Sequence, residues 1–112
     1  MRRYQVQITR TARQDLKDIV SYVSIQLQER ITARTLYQAI RENVLKLGFM
    51  PERYPLWEDE PWHSYGLRKL LVKHYLVFYL VDHEKSCVQV VRIIFAGRDI
   101  TAQLQETDWN NL

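Results

Sequence analysis

Gly66-Leu67-Arg68-Lys69-Leu70-Leu71-Val72-Lys73 opens the stretch that decides the fold. His74-Tyr75-Leu76-Val77-Phe78-Tyr79-Leu80-Val81 follows and, after a polar turn, Cys87-Val88-Gln89-Val90-Val91-Arg92-Ile93-Ile94-Phe95. All three runs are rich in branched and aromatic side chains, the composition of strands. Tyr75 to Val81 is apolar on both faces, which predicts a central strand. The turn Asp82-His83-Glu84-Lys85-Ser86 folds Cys87 to Phe95 back on it as a hairpin. Leu67 to Lys73 is mixed on both faces and reads as an edge strand.

The residues before this sheet are of a different kind. All three glycines (Gly48, Gly66, Gly97) and all three prolines (Pro51, Pro55, Pro61) fall after residue 47, so the first part of the chain is free of the strongest breakers. Tyr4 to Thr9 alternates apolar and polar residues, a half-buried strand. Thr9 or Thr11 can cap the helix that follows, Thr11 with Gln14 as a capping box, and Asp15 and Asp18 complement its dipole. Ala12, Leu16, Ile19, Val20, Val23 and Leu27 form one apolar stripe, and Leu36, Ala39, Ile40, Val44 and Leu47 a second. One helix through both would exceed ~50 Å at 1.5 Å per residue. A break at residues 28 to 32 is expected instead, with Thr32 capping the second helix and Gly48 ending it. The fold class is α+β, in the order β-α-α-β-β-β. An N-terminal strand and a helical hairpin pack on a mainly antiparallel four-stranded sheet. The 112 residues make a single domain, with residues 105–112 read as a tail and Ile100 to Glu106 as a weak helix.

The connection from Gly48 to Gly66 holds Phe49, Tyr54, Trp57, Trp62 and Tyr65, which are expected to pin it to the body. One cysteine, Cys87, excludes an internal disulfide and a cysteine-based zinc site. No run approaches the ~20 apolar residues of a membrane helix, and the N-terminus lacks an apolar leader. The chain is read as cytoplasmic, with no membrane partner.

Net charge is only +3, but the cations are concentrated. Six Lys/Arg and only two acids lie between Pro61 and Arg98, just after the acidic run Glu58-Asp59-Glu60. By the period of two, Lys69 and Lys73 share one face of the edge strand, Arg68 and His74 the other. Arg92 interrupts an apolar strand, so it must reach solvent, an acid or a ligand. Together with Trp62, Tyr75 and Tyr79, these cations and Arg98 could hold phosphates and stack bases. They could equally dock an acidic protein segment, and a structural Arg92–Asp99 or Arg98–Asp99 pair is a third reading. No metal-ligand spacing, nucleophile elbow, phosphate loop or dinucleotide fingerprint is present, and no cofactor is implied.

The opening strand with Ala12-x-x-Asp15-Leu16, Met50-Pro51-Glu52-Arg53, Gly66-Leu67-Arg68-Lys69-Leu70, Tyr75-Leu76-Val77-Phe78-Tyr79 and Arg92-x-x-x-x-x-Arg98-Asp99 together carry a resemblance. In order and spacing the chain resembles the ParE/RelE superfamily of bacterial toxins from residue 3 to about 104. The resemblance implies a cognate antitoxin, bound by strand addition and charge complementarity. It implies one of two activities: poisoning of DNA gyrase without catalytic residues, or cleavage of messenger RNA on the ribosome.

Cleavage needs a base, an acid and charge stabilisation at the phosphorane. A nuclease reading would use Arg68, Lys69, His74 and Arg98. Leu76, however, stands where such relatives carry an arginine, Leu104 where they carry a catalytic tyrosine, and Phe95 where some carry a histidine. The wording of the central strand is closer to the ParE-like branch. The expected function is therefore a gyrase-directed toxin. A ribosome-dependent endoribonuclease is the alternative, and an inert toxin retained as a co-repressor partner the second alternative.

Overall fold

The computed structural model describes residues 2–110. Strand β1 (Gln5–Ile8) leads into α1 (Arg10–Ser21), which runs on as a π-helical turn over Tyr22–Gln26. Helix α2 (Arg30–Leu45) returns antiparallel, and a short helix α3 (Trp62–Tyr65) precedes β2 (Arg68–Val72). Strands β3 (Tyr75–Asp82) and β4 (Cys87–Phe95) and helix α4 (Ile100–Gln105) complete the order. The sheet runs β1-β4-β3-β2, with β1 parallel to β4 and the other pairs antiparallel. The central β3, the edge β2 and the mainly antiparallel sheet follow the pattern of the sequence.

Two cores lie on opposite faces of this sheet. The helical hairpin buries Ala12, Leu36, Ile40 and Val44 against Val77, Tyr79, Val88, Val90 and Ile93. On the other face, α4 and the 57–67 segment bury Trp57, Trp62, Leu67, Ile100 and Leu104 against Phe78, Val91 and Ile94. Burying a large apolar side chain is worth about 1.5–3 kcal/mol, so the short α4 is held by packing rather than by its own propensity.

Several local expectations are corrected. Thr9, not Thr11, caps α1 by accepting from the Ala12 amide at 3.1 Å, and Gln14 bonds Asp18 instead. Asp15 turns away from the dipole to meet Arg92. Helix α2 begins at Arg30 after Glu29, with no side-chain cap, so Thr32 lies inside it. Gly48 does not adopt the left-handed C-terminal conformation. It is buried where β1 crosses, and a Cβ there would meet the Tyr4 carbonyl oxygen at 2.7 Å. Two residues of the expected tail pack on the body. Thr107 is buried, and the Trp109 indole N–H donates to the Leu104 carbonyl at 3.1 Å. Residues 111–112 lie outside the described residues.

Candidate functional site

The cations of the sheet are mostly held by carboxylates. Arg68 projects from β2 and donates to the Tyr54 carbonyl at 2.7 Å, with a Glu52 carboxylate oxygen at 3.4 Å. Lys69 lies over the Trp57 ring at 4.8 Å and bonds Glu58 at 3.0 Å. That bond from Lys69 holds the Glu58 carboxyl below its ordinary value of 4.5. Arg92 donates to Asp15 at 2.7 and 3.1 Å, and to the Thr107 hydroxyl at 2.7 Å. Neither Arg92–Asp99 nor Arg98–Asp99 pairs; the Asp99 side chain instead caps α4 through the Ala102 amide at 3.1 Å.

Two of the proposed aromatic platforms are withdrawn from solvent. Trp62 retains 3% of its surface and Tyr79 none, so neither offers a ring face to a base. The Tyr79 hydroxyl donates to the Pro51 carbonyl at 2.6 Å, and burial pushes its phenol well above the ordinary value of 10.0. Tyr75 is half-buried and tilts against Phe95, ring centres 5.6 Å apart; burial raises its phenol too. His63, on the short α3, is tied through Nδ1 to the Trp57 carbonyl at 2.9 Å.

Lys73, His74 and Arg98 alone of the sheet candidates stay exposed and unpaired among the described residues. They gather at one end of the sheet, where the Ala96 amide bonds the His74 carbonyl at 2.8 Å. Lys73 does not share a strand face with Lys69, because at φ 56° it already belongs to the β2–β3 turn.

The outer edge of β2 is half covered. The Trp57 amide donates to the Leu67 carbonyl at 2.8 Å, and the Lys69 amide to the Pro55 carbonyl at 3.0 Å. The ladder alternates, so Leu71 presents its backbone groups on the same edge. Nothing among the described residues pairs with it there, and its side chain is 60% exposed. This is a short open template for an added strand.

Of the three positions where the resemblance would place a nuclease's polar groups, Phe95 is 43% exposed and lies against Tyr75, while Leu76 and Leu104 fall on the second face of the sheet. Leu104 is fully buried beside Phe78, Val91 and Ile94, and Leu76 packs against the same cluster. Sequence reasoning foresaw these leucines but not the closure of this face by α4. It also passed over Arg30, Arg34 and Arg41, whose helical spacing was the available signal.

Solved structures share this architecture. A toxin chain of the chromosomal ParDE system from P. aeruginosa superposes with a TM-score of 0.67 at 23% identity, covering 82% of this chain and 95% of that one. The RelBE2 toxin–antitoxin complex of Mycobacterium tuberculosis matches with a TM-score of 0.65 at 23% identity, over 85% and 93% of the two chains. An arginine mutant of E. coli RelE in the free state gives 0.65 at 15% identity, over 98% and 99%. No curated protein sequence matches the chain. The fold is thus that of toxins from type II toxin–antitoxin pairs. The family model described as "ParE toxin of type II toxin-antitoxin system, parDE" matches residues 6–100, and the chain belongs to that family. Among the described residues no helix is long and apolar enough to cross a membrane.

Proposed function

We propose that this chain is an antitoxin-neutralised toxin that arrests growth by binding DNA gyrase, without cutting nucleic acid itself. The observation that carries the reading is the apolar second face of the sheet, packed under α4. Leu104 is fully buried there and Leu76 packs against the same cluster, two of the positions where acid–base chemistry would need polar groups; the third, Phe95, is exposed but apolar. Arg68 and Lys69, the phosphate-binding candidates on β2, are engaged by Glu52 and Glu58. A toxin that works by occupying a partner has no need of a general acid or base.

The open half of the β2 edge at Leu71 supports antitoxin binding by strand addition, with exposed Lys73 at the end of the same strand to attract acidic side chains. The neighbouring structures named for ParDE and RelBE pairs agree with such a partner. The antitoxin is expected to be the product of an adjacent small reading frame.

The test sets two assays side by side. Purified chain is titrated into a gyrase supercoiling reaction and into a coupled translation reaction read by primer extension. Loss of supercoiling or accumulation of cleaved DNA, reversed by the antitoxin, supports the reading. Unchanged gyrase at large excess, together with cuts inside codons that vanish in Arg98→Ala, would replace it with ribosome-dependent cleavage. Inactivity in both, with no growth defect on expression, would leave the co-repressor role.

A further inference from the structure

Helix α2 carries a row of cations that the sheet and its partners leave unused. Arg30, Arg34, Tyr37, Arg41 and Leu45 recur at intervals of four, three, four and four, so they line one flank of the helix. All five are exposed. None of the three guanidiniums has an ion pair or a side-chain hydrogen bond among the described residues. Arg68, Lys69 and Arg92, by contrast, are each held by a carboxylate. The only acid within α2, Glu42, follows Arg41 and so lies ~100° around the helix from it. From Arg30 to Arg41 the row extends about 16 Å along the axis at 1.5 Å per residue.

We propose that this flank of α2 is a docking surface for the phosphate backbone of duplex DNA. Duplex DNA carries one charge per ~1.7 Å of axis, so a row of this length spans several phosphates in any groove orientation. Arginine forks match phosphate oxygens in geometry as well as charge. The Tyr37 hydroxyl, between Arg34 and Arg41, is placed to donate to a phosphate as well. An acidic protein segment fits less well. At the centre of the row a single aromatic, Tyr37, stands between Arg34 and Arg41, whereas the dry core of a protein interface is depleted of charged residues. Contacts of this type fix position without reading sequence.

The experiment is anisotropy titration of the full chain against a labelled mixed-sequence 20-bp duplex, with no gyrase present. Its outcome is therefore separate from that of the gyrase reading. Three phosphate contacts predict a slope of log affinity against log salt near −2.7, so raising salt from 50 to 200 mM weakens binding about 40-fold. Arg34→Gln and Arg41→Gln should each lower affinity and reduce the slope by about 0.9. Arg34→Lys should keep the slope, and Lys85→Ala on the β3–β4 turn should change neither. Circular dichroism confirms that each variant is folded. No binding at 50 mM salt, or an unchanged slope when Arg30→Gln, Arg34→Gln and Arg41→Gln are combined, overturns the proposal. So does tighter binding to single-stranded DNA or to an acidic peptide than to the duplex.

Discussion

The Asp15 carboxylate lies 2.7 Å from Nε of Arg92, and a second oxygen lies 3.1 Å from its Nη2. The same carboxylate accepts from the Ile93 amide at 2.9 Å. β1 stops pairing at Ile8–Val90, so the edge of β4 beyond that point has lost its strand partner. Asp15, from the second turn of α1, takes the place of the missing strand. Between Phe78 and Tyr79 the β3–β4 register shifts, as at a bulge, and from there Arg92 reaches Asp15 of α1 and the Gln103 carbonyl of α4. One ion pair therefore joins the hairpin, the sheet and the C-terminal segment.

Asp15→Ala should destabilise the fold strongly. The pair is largely buried, with side chains 12% and 16% exposed for Arg92 and Asp15. Removing one partner strands the other charge, at a cost of about 3 kcal/mol. Urea unfolding checks this, and Asp15→Ala with Arg92→Met in a double-mutant cycle should show a coupling above ~1 kcal/mol. Additive losses would mean that the two side chains act independently.

Tyr79→Phe should give opposite results at neutral and at high pH. At pH 7 it loses the hydrogen bond to Pro51, about 1 kcal/mol. The folded phenol is held above 10.0, whereas the unfolded one ionises near that value. A raised folded value gives stability that is present below the unfolded pKa and fades as pH climbs above it. The native protein should therefore lose stability from about pH 10 upward, and Tyr79→Phe should flatten that alkaline limb. Denaturant midpoints from pH 8 to 11 measure both effects.

Gly48→Ala should destabilise through crowding alone. The added methyl would meet backbone, the Tyr4 carbonyl oxygen, at 2.7 Å, and cannot be relieved by a rotamer change. The same crossing is bonded from the Tyr4 amide to the Gly48 carbonyl at 2.8 Å. A cost of about 1–3 kcal/mol is expected by thermal or chemical unfolding. A neutral result would mean that β1 can move away from the end of α2 freely.

The order of elements was legible because periodicity changes sharply along the chain. Alternation at Tyr4 to Thr9, stripes at three and four through Leu47, and the unbroken apolar run of β3 each specify one element type. The second core was legible only in part: Ile100 to Glu106 read as a weak helix and Trp57 and Trp62 as pins for the loop, but two apolar residues in a polar segment carry no signal of which face of the sheet they cover. Pairings across the chain were equally hidden. Asp15 and Arg92 are 77 residues apart, and the nearer Asp99, one of the partners the sequence offered, caps α4 instead. The cationic sheet was read from density of charge, but the acids that neutralise it, Glu52 and Glu58, come from a loop whose path has no periodic signal.

The segment from Glu58 to Gly66 should loosen in acid before the rest of the molecule. Glu60 accepts from the Ser64 hydroxyl and amide, both at 2.8 Å, and Glu58 from Lys69. These bonds hold both carboxyls below their ordinary 4.5, the Ser64 hydroxyl being the larger cause for Glu60 and Lys69 for Glu58. Depressed values mean that the contribution is present above 4.5 and fades as pH falls through the folded values. Amide exchange at Ser64, corrected for the intrinsic rate, should therefore lose protection between about pH 5 and 3, while amides of β3 keep theirs. Glu60→Gln should remove most of that pH dependence and leave the remainder to Glu58. Protection at Ser64 that is constant across this range would show that the packing of Trp57 and Trp62, rather than the two carboxylates, holds the segment in place.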